Sequence, residues 1–201
     1  YEIRLSLVGS EMCIRDSYPA LYRFLYCCGA RCGEARHLRC ENVHLSDGYL
    51  DILQSKGHRD RRLFLSDELI SYLIEYDCAI RNCFPKREYF FPGPSGNIIS
   101  ASSIPFNFRK IWLAAGLKRD GEIKPRPYDF RHHFACANIA RWAKERKDVI
   151  SMLPYLMRYM GHSSLEKTYY YVHLIPDYFA DYAAATENLE SLLPEVEPYE
   201  I

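Results

Sequence analysis

Tyr128-Asp129-Phe130-Arg131-His132-His133-Phe134-Ala135, then Gly161-His162-Ser163-Ser164, then Tyr169-Tyr170-Tyr171, carry most of the information in this chain. Arg131 stands 30 residues before Gly161, and His162 stands 9 residues before Tyr171. An arginine, a histidine and a tyrosine at such spacings suit the attack of a phenolic oxygen on a phosphodiester. Cleaving that ester puts extra negative charge on the nonbridging oxygens, and fixed cationic donors aimed there are worth about 3–4 kcal/mol each. A guanidinium fits the task because it donates two parallel hydrogen bonds and keeps its charge.

Working outward, Gly29-Ala30-Arg31-Cys32-Gly33-Glu34 supplies a second arginine, and Gln54-Ser55-Lys56-Gly57-His58-Arg59-Asp60-Arg61 supplies a lysine. Arg31, Lys56, Tyr128, Arg131, His162 and Tyr171 are the candidate catalytic residues, with His132 as a supporting group. Arg59, Arg61 and Arg62 are read as touching phosphate or solvent. Lys124 and Arg126, in the basic segment before Pro127, are further candidate DNA contacts. Three consecutive tyrosines on a helix point about 100° apart, so only one of them can face a given phosphate.

The order Arg31, Lys56, Arg131, His162, Tyr171 resembles the catalytic domain of the tyrosine recombinases, the phage integrase family, over about residues 18–190. That resemblance implies a mainly α fold with a small antiparallel β-sheet. It also implies a DNA strand transferase that cuts through a 3′-phosphotyrosyl intermediate and reseals without ATP, because the covalent link stores the bond energy. Family spacing selects Tyr171 as nucleophile, with Tyr170 as the fallback. In the family the hairpin lysine, here Lys56, protonates the departing 5′ oxygen, and a histidine such as His162 bonds the phosphate. Implied partners are double-stranded DNA and further copies of the chain, as a tetramer on DNA. No cofactor and no metal are expected, since side chains supply the charge, and no membrane partner is expected. A cytoplasmic, nucleoid-associated protein follows from the same resemblance. Alternatives are a catalytically inactive DNA-binding fragment and a type IB topoisomerase-like enzyme.

One position departs from the pattern. The family motif is commonly His-x-x-Arg, whereas this chain has Tyr128-Asp129-Phe130-Arg131. Tyr128 shares a helical face with Arg131, but a phenol is a poor base at neutral pH. The group that accepts the nucleophile's proton is left open.

Composition agrees with one globular domain: 201 residues, 48% hydrophobic and 26% charged. Net charge is zero, yet residues 18–171 hold 24 basic against 16 acidic side chains, and residues 172–201 hold 7 acidic and no Lys or Arg. A basic body before an acidic tail (191–201) suits a phosphate-rich partner. No apolar run approaches the roughly 18 residues of a membrane span, and no secretory signal stands out. Cys27, Cys28, Cys32, His37 and Cys40 lack paired Cys-x-x-Cys spacing, so buried free thiols are expected in place of zinc. Residues 5–17 look like a translated sequencing adapter, so residues 1–17 are expected to be non-native and the natural chain to begin earlier.

Periodicity predicts helices over Tyr18–Cys28, Gly33–Arg39, Ser66–Ile80, Ser103–Ala115, 128–146, 148–160 and 177–192. It predicts strands near Tyr49–Leu53 and Arg61–Leu65, and a short one at Phe90-Phe91. Ser163-Ser164-Leu165-Glu166 reads as a capping box for a tyrosine-bearing helix.

Overall fold

The computed structural model describes residues 10–53, 60–117 and 125–174. Helix α1 (Ser10–Cys28) opens within the segment read as foreign and continues without a break into the predicted apolar helix. Ala20, Leu21, Phe24 and Leu25 recur along its inner face and are fully buried, the spacing an amphipathic helix needs. A short helix α2 (Cys32–Arg36) follows, three residues shorter at its C-terminal end than predicted.

Three strands come next: β1 (Val43–His44), β2 (Tyr49–Ile52) and β3 (Arg61–Phe64). They form one antiparallel sheet in the order β1-β2-β3, with Leu50 opposite Leu63 and Asp51 opposite Arg62. Alternation decides which side is core: Leu50, Ile52 and Leu63 are buried, while Arg62 and Phe64 face out. β1 is the strand that the sequence reading lacked.

Ser66 caps α3 (Asp67–Cys83), its hydroxyl accepting from the Leu69 N–H at 3.4 Å, as expected. Phe90 and Phe91 are buried but form no strand; single bridges, Arg39 with Tyr89 and Pro92 with Ile98, flank them. α4 (Ser103–Ala114), α5 (Asp129–Lys144) and α6 (Val149–Met160) follow close to prediction. The last described helix, α7, is a single turn, Glu166–Tyr169, so Tyr170 and Tyr171 lie in the turn beyond it. The Ser163 capping box does not form. Leu165 occupies the cap position, and its carbonyl accepts from the Thr168 and Tyr169 N–H groups. The predicted helix over 177–192 lies outside the described residues.

Two apolar clusters organise these elements. The larger joins α1, α3, α4 and the sheet; the smaller joins α5, α6 and the Tyr171-Val172 turn, and Tyr159 packs against both. Cys28 is buried in the larger cluster, as expected of a core thiol, whereas Cys78 is exposed. Among the described residues no cluster of His, Cys, Asp or Glu has the makings of a metal site, and no helix is long and apolar enough to cross a membrane. The seam between the clusters is where the candidate site sits.

Candidate active site

Two tight glycine turns set the site. Gly29 ends α1 at φ +59°, and a Cβ there would lie 2.5 Å from the Phe134 ring on α5. Gly161 ends α6 at φ +66°, where a Cβ would meet the Arg61 guanidinium at 3.0 Å. Only glycine combines the left-handed backbone with such close approach.

The two turns are cross-linked by the two arginines. Arg31, at the start of α2, donates from Nη2 to the Gly161 carbonyl at 2.8 Å. Arg131, in the first turn of α5, donates from Nη1 to the Gly29 carbonyl at 2.7 Å and from Nη2 to the Met160 carbonyl at 2.5 Å. Each guanidinium therefore holds the loop that carries, or precedes, the other part of the motif. Arg131 is only 1% exposed, and its Nε has no partner among the described residues. Burial first, then repulsion from Arg31, pulls its value down to about 10, so it stays charged at neutral pH.

Glu34 fixes the Arg31 side. Its carboxylate accepts from the Arg31 backbone N–H at 2.8 Å and from Arg31 Nη1 at 2.6 Å, closing the first turn of α2 from within. It also takes a two-pronged contact from Arg61 on β3, at 3.0 and 2.8 Å. Arg61 completes the link by donating Nε to the Tyr159 carbonyl at 2.7 Å. Burial raises the Glu34 carboxyl, but the Arg61 and Arg31 contacts outweigh it and hold the group down at about 2.

This corrects the reading of Arg61. Its side chain is 6% exposed and is spent on a carboxylate, so it does not present itself to phosphate or solvent. Arg62 does face out, yet Asp51 holds it at 2.9 and 3.0 Å while it lies 3.7 Å over the Tyr49 ring. Arg126 is exposed and paired with Asp129 at 3.1 Å. Lys56, Arg59 and Lys124 lie outside the described residues.

On the opposite wall His162 is buried, its Nδ1 2.8 Å from the Thr168 hydroxyl. Burial and the positive charges of Arg131, Arg31, Lys167 and Arg61 push this imidazole down to about 4. It is neutral at pH 7. Its ring stacks on Tyr171, centroids 6.0 Å apart and planes within 14°. Tyr171 is 3% exposed, while Tyr169 and Tyr170 are 39% and 56% exposed. Of the three tyrosines, Tyr171 is the one turned inward. Burial raises its phenol above the ordinary value, and the attraction of Arg131 only partly offsets this.

Arg31, Tyr128, Arg131, His162, Tyr170 and Tyr171 all line one open cavity of about 850 Å³. Lys167 and Glu166 line it too; the sequence reading named neither as a site residue. Tyr128 is half exposed at the rim, its ring edge-on to His132 at 4.9 Å. Two guanidiniums, a neutral imidazole and a phenol thus converge on one space large enough for a phosphodiester. Such an arrangement can balance charge on a five-coordinate phosphorus while presenting an oxygen nucleophile.

A family model described as "Phage integrase family" matches residues 12–177. The integrase/recombinase y4rE of Sinorhizobium fredii is 34% identical over 148 residues, covering 72% of this chain and 46% of that protein. Tyrosine recombinase XerC of Lactobacillus delbrueckii subsp. bulgaricus is 28% identical over 170 residues, 83% of this chain and 52% of that protein. Among solved structures, the XerH site-specific recombinase bound to palindromic difH substrate in a post-cleavage complex superposes with a TM-score of 0.66. That match has 23% identity and covers 91% of this chain and 48% of that one. The chain spans about half the length of the curated relatives it matches.

Proposed function

The chain belongs to the phage integrase family, and from that membership we propose that it carries the catalytic machinery of a site-specific tyrosine recombinase. In this reading the chain cleaves and reseals double-stranded DNA. Tyr171 attacks the scissile phosphorus, and Arg31 and Arg131 hold its nonbridging oxygens. His162 donates a hydrogen bond to the same group, and Lys56 protonates the departing 5′ oxygen. The product is a 3′-phosphotyrosyl link and a free 5′ hydroxyl, which a second strand end can later reverse. The observation that supports this best is the shared cavity: Arg31, Arg131, His162 and Tyr171 line one space, and Tyr171 is the buried member of its triplet, stacked on His162.

His132 supports the site, and Arg59, Lys124 and Arg126 contact flanking phosphates. The active form is a tetramer on DNA, and DNA as substrate places it in the cytoplasm with the nucleoid. The adapter-derived origin of residues 1–17 belongs to the same proposal. Alone, this half-length chain binds DNA weakly, with a steep salt dependence and little sequence preference.

The test is covalent trapping on a nicked suicide duplex. The unaltered chain forms a protein–DNA adduct that survives denaturation, and Tyr171→Phe forms none. An adduct that persists in Tyr171→Phe and vanishes in Tyr170→Phe would move the nucleophile to Tyr170. Salt-sensitive retention without any adduct would leave only a DNA-binding module.

A further inference from the structure

Burial raises the Tyr171 phenol above its ordinary range, so its proton must pass to an acceptor before the oxygen can attack. Tyr128 stands three residues before Arg131, and phenols as a class are poor bases. His162 is stacked on Tyr171, but its Nδ1 is engaged with Thr168 and its imidazole is held at about 4, which makes it a weak base.

His132 differs in its hydrogen bonding. Its ring lies between the two phenols, with centroids 4.9 Å from Tyr128 and 5.6 Å from Tyr171. Its Nδ1 is buried and has no hydrogen-bond partner among the described residues. The charged and titratable groups facing it are Asp129 and Arg131 from its own end of α5, Arg126 from the segment before it, Tyr128 at the cap, and Tyr171 from the turn beyond α7. Burial lowers its value, Asp129 opposes this, and Arg126 and Arg131 reinforce it; the net shift is downward. The ring is therefore neutral at pH 7, and a neutral imidazole always keeps one accepting nitrogen. The neighbouring His133 is no rival, being exposed and stacked on Tyr26 at 5.0 Å.

We propose that His132 is the proton acceptor for Tyr171, with the Tyr128 ring holding it edge-on, an assignment that rests on Tyr171 being the nucleophile. The Tyr171 Oη–H bond breaks and the proton moves to a ring nitrogen of His132. The freed electron pair forms the new O–P bond as the bond from phosphorus to the 5′ oxygen breaks. That oxygen takes its proton from Lys56. In the reverse step the imidazolium returns the proton to the leaving phenolate, so no further reactant is needed.

The experiment is single-turnover adduct formation on the nicked duplex between pH 5 and 8. Below its own value His132 is protonated and cannot accept, so the unaltered rate rises tenfold per unit at the acid end. Because the imidazole is shifted downward, the rate levels off below pH 6.5. His132→Gln loses that levelling and is slower by about 10²- to 10³-fold at pH 7. Tyr128→His in the His132→Gln background restores both the rate and the curve. Tyr128→Phe is slower but keeps the acid limb, which guards against a His132 variant that fails to fold. A His132→Gln protein with an unchanged pH profile, or a Tyr128→Phe protein that loses the limb, would overturn the assignment. An unaltered chain that forms no adduct would instead overturn Tyr171 as nucleophile, a separate failure.

Discussion

Arg31 and Arg131 reach one cavity from distant segments, yet they are held by opposite means. The Arg31 side chain keeps 25% of its surface and leans on a carboxylate that Arg61 also grips. Arg131 is 1% exposed and leans on two carbonyl oxygens, with no carboxylate hydrogen-bonded to it among the described residues. On the first wall one carboxylate offsets part of the charge of two guanidiniums; on the second, the guanidinium is met by backbone carbonyl oxygens. Burial lowers the Arg131 value to about 10, so its charge is costly in the free protein, and a phosphate placed against it would offset that cost. That is the arrangement differential stabilisation of a transition state requires.

The largest effects should come from removing each arginine. Arg31→Ala and Arg131→Ala should each slow adduct formation by about 10²- to 10³-fold, the loss of one charge-stabilising donor. Folding should tell them apart. Arg131→Ala strands the Gly29 and Met160 carbonyls and leaves a cavity, so it should cost about 3–5 kcal/mol in urea unfolding. Arg31→Ala leaves Glu34 its Arg61 partner and should cost about 1 kcal/mol. Equal losses of stability would end the contrast between the walls.

Next comes the carboxylate that makes the first wall. Glu34→Gln leaves the buried Arg61 without its counter-charge and should cost about 3–5 kcal/mol. Replacing Glu34 and Arg61 together by methionine should recover most of that stability. Adduct formation should stay low in the double variant, because Arg31 has then lost the group that aims it. Recovery of both would show Glu34 to be a packing element and no more.

Acid should dismantle the walls in separate windows. His162 is held at about 4 against an ordinary 6.5. As pH falls below 6.5 the unfolded chain takes up a proton that the folded one refuses until about 4, and stability falls by up to about 3 kcal/mol. Glu34 is also shifted downward, about 2 against 4.5, so its contribution is complete above 4.5 and disappears as pH falls through 2. His162→Gln should flatten the upper slope and leave the lower one. A single acid transition near pH 4 in both proteins would contradict this.

Much of this site could be read before any coordinates. Arg31 and His162 stand beside glycine-marked helix ends, and Arg131 follows Pro127 at the start of a helix; such punctuation survives in sequence. The Glu34–Arg61 pair could not be read, because its partners are 27 residues apart and an arginine in a basic run looks like surface. The i,i+3 relation of Arg31 and Glu34 was the one local hint. Phe90-Phe91 has the composition of a strand, and only the packing showed two buried rings between single bridges. Ser163 failed as a cap for a related reason: the Gly161 turn spends its residues closing α6, so α7 starts two residues late.

The smallest effect concerns a residue outside both walls. Arg62 is exposed on β3, and its position invites a phosphate contact. Asp51 already takes two of its hydrogen bonds and cancels its charge. A lysine or arginine that truly meets a phosphate contributes about 0.9 to the slope of log affinity against log salt. Arg62→Ala should therefore change that slope by well under about 0.5, whereas Arg59→Ala should change it by nearly the full increment. Asp51→Asn gives the sharper reading, since it frees Arg62 without removing it and should steepen the slope by up to about 0.9. If Asp51→Asn leaves the slope unchanged while Arg62→Ala reduces it, Arg62 reaches DNA despite its carboxylate. The hairpin would then be a third charged wall, not a scaffold for the first.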